Sequence, residues 1–476
     1  MIQMNIQSSF VNPVLGGDYP DPSVIRVGCD YYMTHSSFRY YPGLLIWHSK
    51  DLVNWRPLCH ALHEYVGDVW APDFIQYEGR YYIYFPAGGT NWVVTAISPG
   101  GPWSKPIDLK VSHIDPGHVA GADGKRYLHL SGGHIVELAR DGLSVIGTPR
   151  KIYDGWLYPN EWRVEGFCLE SPKLIFKNGY YYLTSAQGGT AGPATSHMVV
   201  SARSHNPWGP WENSPHNPIV RTVHRDEAWH SKGHGTIFED SDGKWWIIYH
   251  GYEKGYYTLG RQTLLEAIQW TEDDWFKTCE GVRIDQPATK SVGSTIGHEL
   301  NSSEILLDGE ISLKWQCYDA LIHDRCRVEK GGLILMPLPP GEQMSPLVYI
   351  AHEHCYTIEA KLSLLSDDSE GRLLLFYNRE CYTGIGFNRE GVYAIRQTKN
   401  LRPRPVGSRT LELKLVNDHH EVDCYYRIDE EEWVKLPESM DTSGYHHNAL
   451  GQFLSLRPGV DASGGGEVFV EYVRII

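Results

Sequence analysis

The sequence predicts an all-β chain: a five-bladed β-propeller followed by a β-sandwich. Three observations carry that expectation. Strands opening on a glycine and running into aromatic or β-branched residues recur five times in the first half of the chain. A short polar element precedes each of them at nearly constant distance. The recurrence stops near Trp270, and plain two-residue alternation takes over after it.

The glycine-opened strands begin at Gly28 (Gly-Cys-Asp-Tyr-Tyr-Met-Thr), Gly79 (Gly-Arg-Tyr-Tyr-Ile-Tyr-Phe), Gly124 (Gly-Lys-Arg-Tyr-Leu-His-Leu), Gly179 (Gly-Tyr-Tyr-Tyr-Leu-Thr-Ser) and Gly243 (Gly-Lys-Trp-Trp-Ile-Ile-Tyr), separated by 51, 45, 55 and 64 residues. A repeat of this length, rich in short strands and poor in helical periodicity, suits one propeller blade of four antiparallel strands. The preceding polar residues are Asp21 (Pro-Asp-Pro), Asp73 (Ala-Pro-Asp), Asp115 (Ile-Asp-Pro), Glu170 (Glu-Ser-Pro) and His234 (Gly-His-Gly), at 7, 6, 9, 9 and 9 residues before the glycine. They fall where the innermost strand of a blade lines the central channel, so five polar side chains are expected to converge on one axis. A single Asp-Pro is more often a turn than a site. Five in register are hard to explain as turns. The Trp-anchored segments between units, around Trp47, Trp55, Trp103, Trp208 and Trp211, read as inter-blade packing.

The polar run Pro287 to Ser303 has no clear periodicity and marks a domain boundary, giving a propeller over 1–295 and a second domain over 303–476. Alternation in Tyr356–Leu362, Leu411–Leu415 and Val468–Val473, with a turn at Asn388–Gly391, predicts a β-sandwich there. No catalytic constellation is visible in that half.

Bulk composition narrows the partners. The 476 residues carry a net charge of −15, which disfavours nucleic acid. Aromatics make up 12%, with 16 Trp and 30 Tyr, more than a core needs and suited to stacking on sugar rings. Strand propensity accounts for part of that excess. The nine cysteines include no C-x-x-C pair, so neither a disulfide framework nor a zinc motif is indicated. The first residues lack a basic stretch followed by an apolar run, and no eighteen-residue apolar run appears, so the expected location is cytoplasmic and away from membranes.

Carboxylates at Asp21, Asp115 and Glu170 permit glycoside hydrolysis. That reaction needs an acid to protonate the departing oxygen and a carboxylate on the other face of the sugar, where the inverting variant leaves room for a water. A third carboxylate near the acid raises its pKa by like-charge repulsion.

These residues also carry a resemblance. Tyr19-Pro20-Asp21-Pro22-Ser23, Val69-Trp70-Ala71-Pro72-Asp73, His113-Ile114-Asp115-Pro116 with Asp123-Gly124-Lys125, and Glu170-Ser171-Pro172-Lys173-Leu174 resemble, in order and spacing, the motifs of glycoside hydrolase family 43. That family comprises five-bladed propellers such as β-xylosidases, α-L-arabinofuranosidases and arabinanases. The resemblance implies Asp21 as general base, Glu170 as general acid and Asp115 as the residue that orients and tunes the acid. Ser171 departs from the family's glycine, and the nearby Glu165-Gly166 mimics the motif. Glu170 keeps the nine-residue offset, whereas Glu165 lies fourteen residues before Gly179, so Glu165 is left as a substitute acid or subsite residue.

By the same resemblance Arg261 is a pocket arginine contacting substrate beside the acid, Trp70 and Phe38 are stacking walls, and His234 is a further substrate-binding candidate near the axis, where some members hold a calcium ion or water. No cofactor is required for the chemistry, and no metal is assigned beyond a structural calcium at His234. The C-terminal half resembles the lectin-like (concanavalin A-like) sandwich of the β-xylosidase branch, which narrows the pocket toward exo action. The implied function is an inverting exo-glycosidase releasing a terminal pentose, foremost a β-1,4-xylosidase on xylo-oligosaccharides, with an α-L-arabinofuranosidase or bifunctional enzyme as the alternative. An endo-acting arabinanase, which needs an open cleft, ranks below both. A non-catalytic carbohydrate-binding propeller would need one carboxylate displaced. The expected partners are an oligosaccharide and, in a homo-oligomer, copies of the chain. Asp21 and Glu170 are expected to face each other at the roughly 6.5–9.5 Å of an inverting site.

Overall fold

The structure is a computed structural model that describes residues 7–281, 283–286, 288–291, 304–307, 309–339, 341 and 343–476. The chain falls into two compact units. The first comprises Met1–Phe38, Gly43–Gly255 and Arg261–Ile296, and the second Arg39–Pro42, Tyr256–Gly260 and Gly297–Ile476. The short segments 39–42 and 256–260 therefore group with the second unit, an assignment that a single linear boundary does not anticipate.

Five antiparallel blade sheets dominate the first unit; four open on one of the expected polar elements or just beyond it, and in the fifth His234 lies within the first strand. Their first strands are Ser23–Val27, Asp73–Tyr77, Gly117–Ala120, Glu170–Lys177 and Trp229–Glu239, and the glycine-opened strands are the second in each blade. The five turn glycines have φ of 64°, 78°, 75°, 82° and 79° in chain order. A Cβ on the first four would meet nothing within 4 Å, so the left-handed backbone, not lack of space, selects glycine there.

The second strands of blades 2, 3 and 4 are heavily buried. Arg80–Ala87 and Tyr180–Gln187 are covered over all but their first residue, because neighbouring blades pack on both faces. Tyr182, Val199, Ile247, Tyr249, Leu264 and Phe276 weld blade 4 to blade 5. Tyr84, Val93, Leu128 and Val136 do the same for blades 2 and 3. Trp208 and Trp211 of blade 4 reach Tyr127 and His129 of blade 3, with ring centroids 5.6 and 5.7 Å apart, as expected of inter-blade anchors. Trp103, by contrast, packs on Phe74 of its own blade at 5.8 Å.

The ring of blades is pinned by the N-terminal segment. The Asn12 amide donates to the Leu265 carbonyl at 3.0 Å and accepts from the Leu265 N–H at 2.8 Å, tying that segment to the third strand of blade 5. Strand Gln7–Phe10 pairs antiparallel with Ala288–Ser291. That second strand lies in the run expected to be an irregular linker. Its Ala-Thr-Lys-Ser sequence has no apolar alternation to announce a strand, and the backbone ladder makes it one. Most of the remaining linker expectation, over 287–303, lies outside the described residues.

The second unit is built on two antiparallel sheets of eight and seven strands, face to face as in a sandwich. Strands Cys355–Leu364, Thr410–Asp418 and Val468–Ile475 lie side by side in the seven-stranded sheet. Their inward residues Ile358, Ala360, Leu362, Leu411, Leu413, Leu415, Val468, Val470 and Val473 are fully buried, following the two-residue period except where a bulge shifts the register between Val470 and Val473. A buried Arg325–Asp461 ion pair at 3.0 Å lies within this unit. Among the described residues, no helix is long and apolar enough to cross a membrane.

Candidate active site

Just before the first strands of blades 1 and 3, and within that of blade 5, the backbone turns sharply. Asp21, Asp115 and His234 have φ of 58°, 55° and 53°, and in blade 4 the residue after Glu170, Ser171, has φ 52°. Such left-handed geometry in non-glycine residues costs about 1–3 kcal/mol each and persists only where surrounding structure enforces it. Here it aims Asp21 and Asp115, from separate blades, at one point.

That point is His234. Its Nδ1 lies 3.2 Å from Asp21 Oδ1, and its Nε2 lies 3.4 Å from Glu170 Oε1 and 3.7 Å from Asp115 Oδ2. Three carboxylates thus surround one buried ring. Asp21 and Glu170 face opposite ring nitrogens, so their separation cannot exceed the two contacts plus the ring's own width, an upper limit within the roughly 6.5–9.5 Å of inverting sites.

Asp21 is the most heavily supported group. Arg261 Nη1 donates to its Oδ1 at 3.2 Å, Ser36 donates its hydroxyl to Oδ2, and His250 Nδ1 accepts from its backbone N–H at 3.2 Å. Burial opposes its charge, but Arg261, His234 and His250 prevail and hold its carboxyl well below the usual range. Burial drives His250 down to about 3, with the Arg261 charge adding to it, so this ring is neutral. Its Nδ1 also lies 3.1 Å from Asp21 Oδ1, and its Nε2 lies 3.4 Å from the Thr190 hydroxyl.

Asp115 behaves oppositely. Burial is the main cause that pushes its carboxyl up to about 7, with the charges of Glu170 and Asp21 adding while His234 opposes. Asp115 also accepts the Ser171 N–H at 3.1 Å, which ties it to the residue beside Glu170. His234 would lose charge through burial alone, but its three carboxylate neighbours raise it to about 8, making it a cation at neutral pH.

The other expected site residues lie as follows. Arg261 is buried, and its direct partner is Asp21, with Glu170 within its electrostatic reach. Phe38 is 2% exposed, with the Arg261 guanidinium 5.5 Å from its ring centre, so it offers a ligand little open face. The backbone of Phe38 bridges Val69, which sets the half-buried Trp70 beside it. The fifth blade-start residue, Asp73, does not join the cluster around His234. It takes the Lys173 ammonium at 3.0 Å and the His118 N–H at 2.7 Å. Glu165 is likewise engaged elsewhere, its carboxylate accepting the Ala191 N–H at 2.7 Å.

Sequence reasoning missed Ser36, His197 and His250. Counting seven residues on from the turn glycine reaches His250 in blade 5 and His35 in blade 1, a weak signal that could have marked it. His197 is fully buried; it stacks on His250 and His234 with centroids 5.3 and 5.5 Å apart, and neither of its ring nitrogens has a hydrogen-bond partner. Gly233 makes room for it, since a Cβ there would fall 1.7 Å from the His197 ring. Glu170, His197 and His234 bring donor atoms within 4.8 Å of one another. Two imidazoles and one carboxylate are not the oxygen-rich set that calcium takes directly, so a calcium ion here would be held through water.

Comparison with known proteins places this geometry. The profile of the glycosyl hydrolases family 43 matches residues 10–276. A xylan 1,3-β-xylosidase of a Vibrio species is 33% identical over 56% of this chain and 56% of its own length. A non-reducing end α-L-arabinofuranosidase of Bacteroides ovatus is 33% identical over 57% of this chain and 54% of its own. The chain thus spans a little over half the length of these curated relatives. A xylosidase/arabinosidase of Butyrivibrio fibrisolvens is matched over 97% of both chains at 27% identity. Among solved structures, the family-43 BlXynB protein of Bacillus licheniformis superposes with a TM-score of 0.87 at 27% identity, covering 98% of this chain and 100% of that one.

Proposed function

We propose that this chain, which belongs to glycosyl hydrolase family 43, is an inverting exo-glycosidase that releases a terminal pentose, foremost β-xylose from xylo-oligosaccharides. The observation that carries the reading is the single His234 ring with Asp21 on one nitrogen and Glu170 and Asp115 on the other. Asp21, kept ionised by Arg261 and His234, takes a proton from the attacking water. Glu170, less buried than its two partners, protonates the departing oxygen from the side that faces substrate. Asp115 accepts the Ser171 N–H beside Glu170 and, with its raised pKa, keeps a proton within the carboxylate pair near neutral pH.

His234 carries positive charge between base and acid, which lets three carboxylates share one pocket. It also fixes the two reacting carboxyls on opposite sides. No metal is needed for any of these steps. Arg261 holds Asp21 in line, and Trp70 supplies the apolar wall against the sugar.

α-L-Arabinofuranosidase activity is the second reading, favoured by the Bacteroides ovatus relative of that name at 33% identity. Comparing kcat/KM on 4-nitrophenyl β-xyloside and 4-nitrophenyl α-L-arabinofuranoside separates the two. A higher value on the xyloside supports the first reading, a higher value on the arabinofuranoside the second, and inactivity on both removes both.

A further inference from the structure

A second constellation of chemically active side chains lies in the sandwich unit, at one end of its seven-stranded sheet. Cys355 is the first residue of strand Cys355–Leu364, Asp418 is the last of Thr410–Asp418, and the antiparallel register sets them directly opposite. The hairpin then turns through His419, whose φ of 62° swings its imidazole back over that pair. Cys355 Sγ lies 3.3 Å from Asp418 Oδ1 and 3.3 Å from His419 Nδ1, and Asp418 Oδ1 lies 2.6 Å from His419 Nδ1. All three residues are exposed.

A thiol, an imidazole and a carboxylate in contact could also be a hydrolytic nucleophile with its base. The geometry excludes that. In such a triad the nucleophile and the acid bind opposite ring nitrogens, whereas here both face Nδ1, with Nε2 a longer 4.0 Å from the sulfur. Three different donors instead point at one another in a closed triangle. Charged donors gather in this way around a cation.

We propose that Cys355, Asp418 and His419 form a site for a borderline divalent metal ion of the zinc type, with solvent in the fourth position. Thiolate, imidazole and carboxylate together are the zinc donor set, while calcium and magnesium decline sulfur. Bonds of about 2.0–2.3 Å in a tetrahedron place donor atoms roughly 3.3–3.8 Å apart, so the triangle needs to open by less than about 1 Å. Binding replaces the Cys355 thiol proton, which leaves to solvent, with the metal; His419 binds neutral through Nδ1. The His354 ring, 6.4 Å from that of His419, stands next to the site as an additional imidazole. The register-paired strand ends and the tight turn fix the donors before any ion arrives. Among the described residues, no other thiol belongs to such a donor group.

The test uses the full chain, stripped with a chelator and given zinc alone. Alkylation of each cysteine is followed by peptide mass mapping, with the exposed Cys29 and Cys168 as references on the same molecule. Zinc should slow alkylation of Cys355 by at least about tenfold, as expected when a thiolate is held by metal, and leave the references unchanged. His419→Ala and Asp418→Asn should each abolish most of that protection. Cobalt should give a sulfur-to-metal charge-transfer band that Cys355→Ser removes. All three positions are exposed, so the variants fold. Unchanged Cys355 alkylation with zinc, or protection that survives His419→Ala, overturns the proposal. Metal bound at the propeller axis would not protect Cys355.

Discussion

Asp21 and Asp73 occupy the same place in consecutive blades, each a few residues ahead of a turn glycine, yet they do different things. Asp21 has a left-handed backbone, meets Arg261, Ser36 and His250, and contacts the His234 ring. Asp73 lacks that backbone twist and is neutralised by Lys173, which also donates to the Pro72 carbonyl at 2.6 Å. The blade repeat delivers a polar side chain to the first strand of each blade, a carboxylate in four of the five. The partners that non-repeating positions supply decide whether it is a reagent or a rivet.

Substitutions at the two positions break or sharpen that contrast. Asp21→Asn and Glu170→Gln should each lower kcat by roughly 10²–10⁴-fold or more with folding intact, measured on an aryl xyloside. Asp73→Asn should instead leave kcat per folded molecule within about tenfold. Asp73→Ala should show its effect in denaturant unfolding, because removing one partner of a buried ion pair costs about 3–5 kcal/mol. A large kcat loss at Asp73 without loss of stability would erase the distinction.

The pH profile probes the same contrast more gently. Asp115, raised to about 7, holds its proton below that pH and loses it above. As pH rises, the carboxylate pair is left without a proton to give, so kcat/KM should fall on the alkaline side beginning near 7. Asp21, held low, stays ionised and sets only an acid limb well below neutrality. A profile flat through pH 8 contradicts the assignment to Asp115. The smallest effect is expected at Glu165→Gln, which trades a carboxylate bond to the Ala191 N–H for a weaker one at a cost of about 1 kcal/mol or less.

Much of the site was legible in the sequence because a propeller converts a sequence period into rotational symmetry. Fixed offsets from Gly28, Gly124, Gly179 and Gly243 singled out Asp21, Asp115, Glu170 and His234, and the same count preferred Glu170 to Glu165. What escaped came from positions outside the period. Ser36, His197 and His250 lie beyond the first strands of their blades, where the repeat marks His250 only weakly and the other two not at all. Asp73 kept the place in the blade, at a shorter offset of six, but not the role, because its partner Lys173 comes from another blade. Arg261 was expected beside the acid and is bonded to the base. The strand over 288–291 carries no side-chain pattern, so nothing in its sequence distinguishes it from a linker.

The most direct test of the account is the anomeric configuration of the first sugar released, followed by proton NMR before mutarotation. With Asp21 activating water opposite Glu170, a β-xyloside should yield α-xylose first. First release of β-xylose would mean retention through a covalent intermediate and would contradict the roles assigned to Asp21 and Glu170.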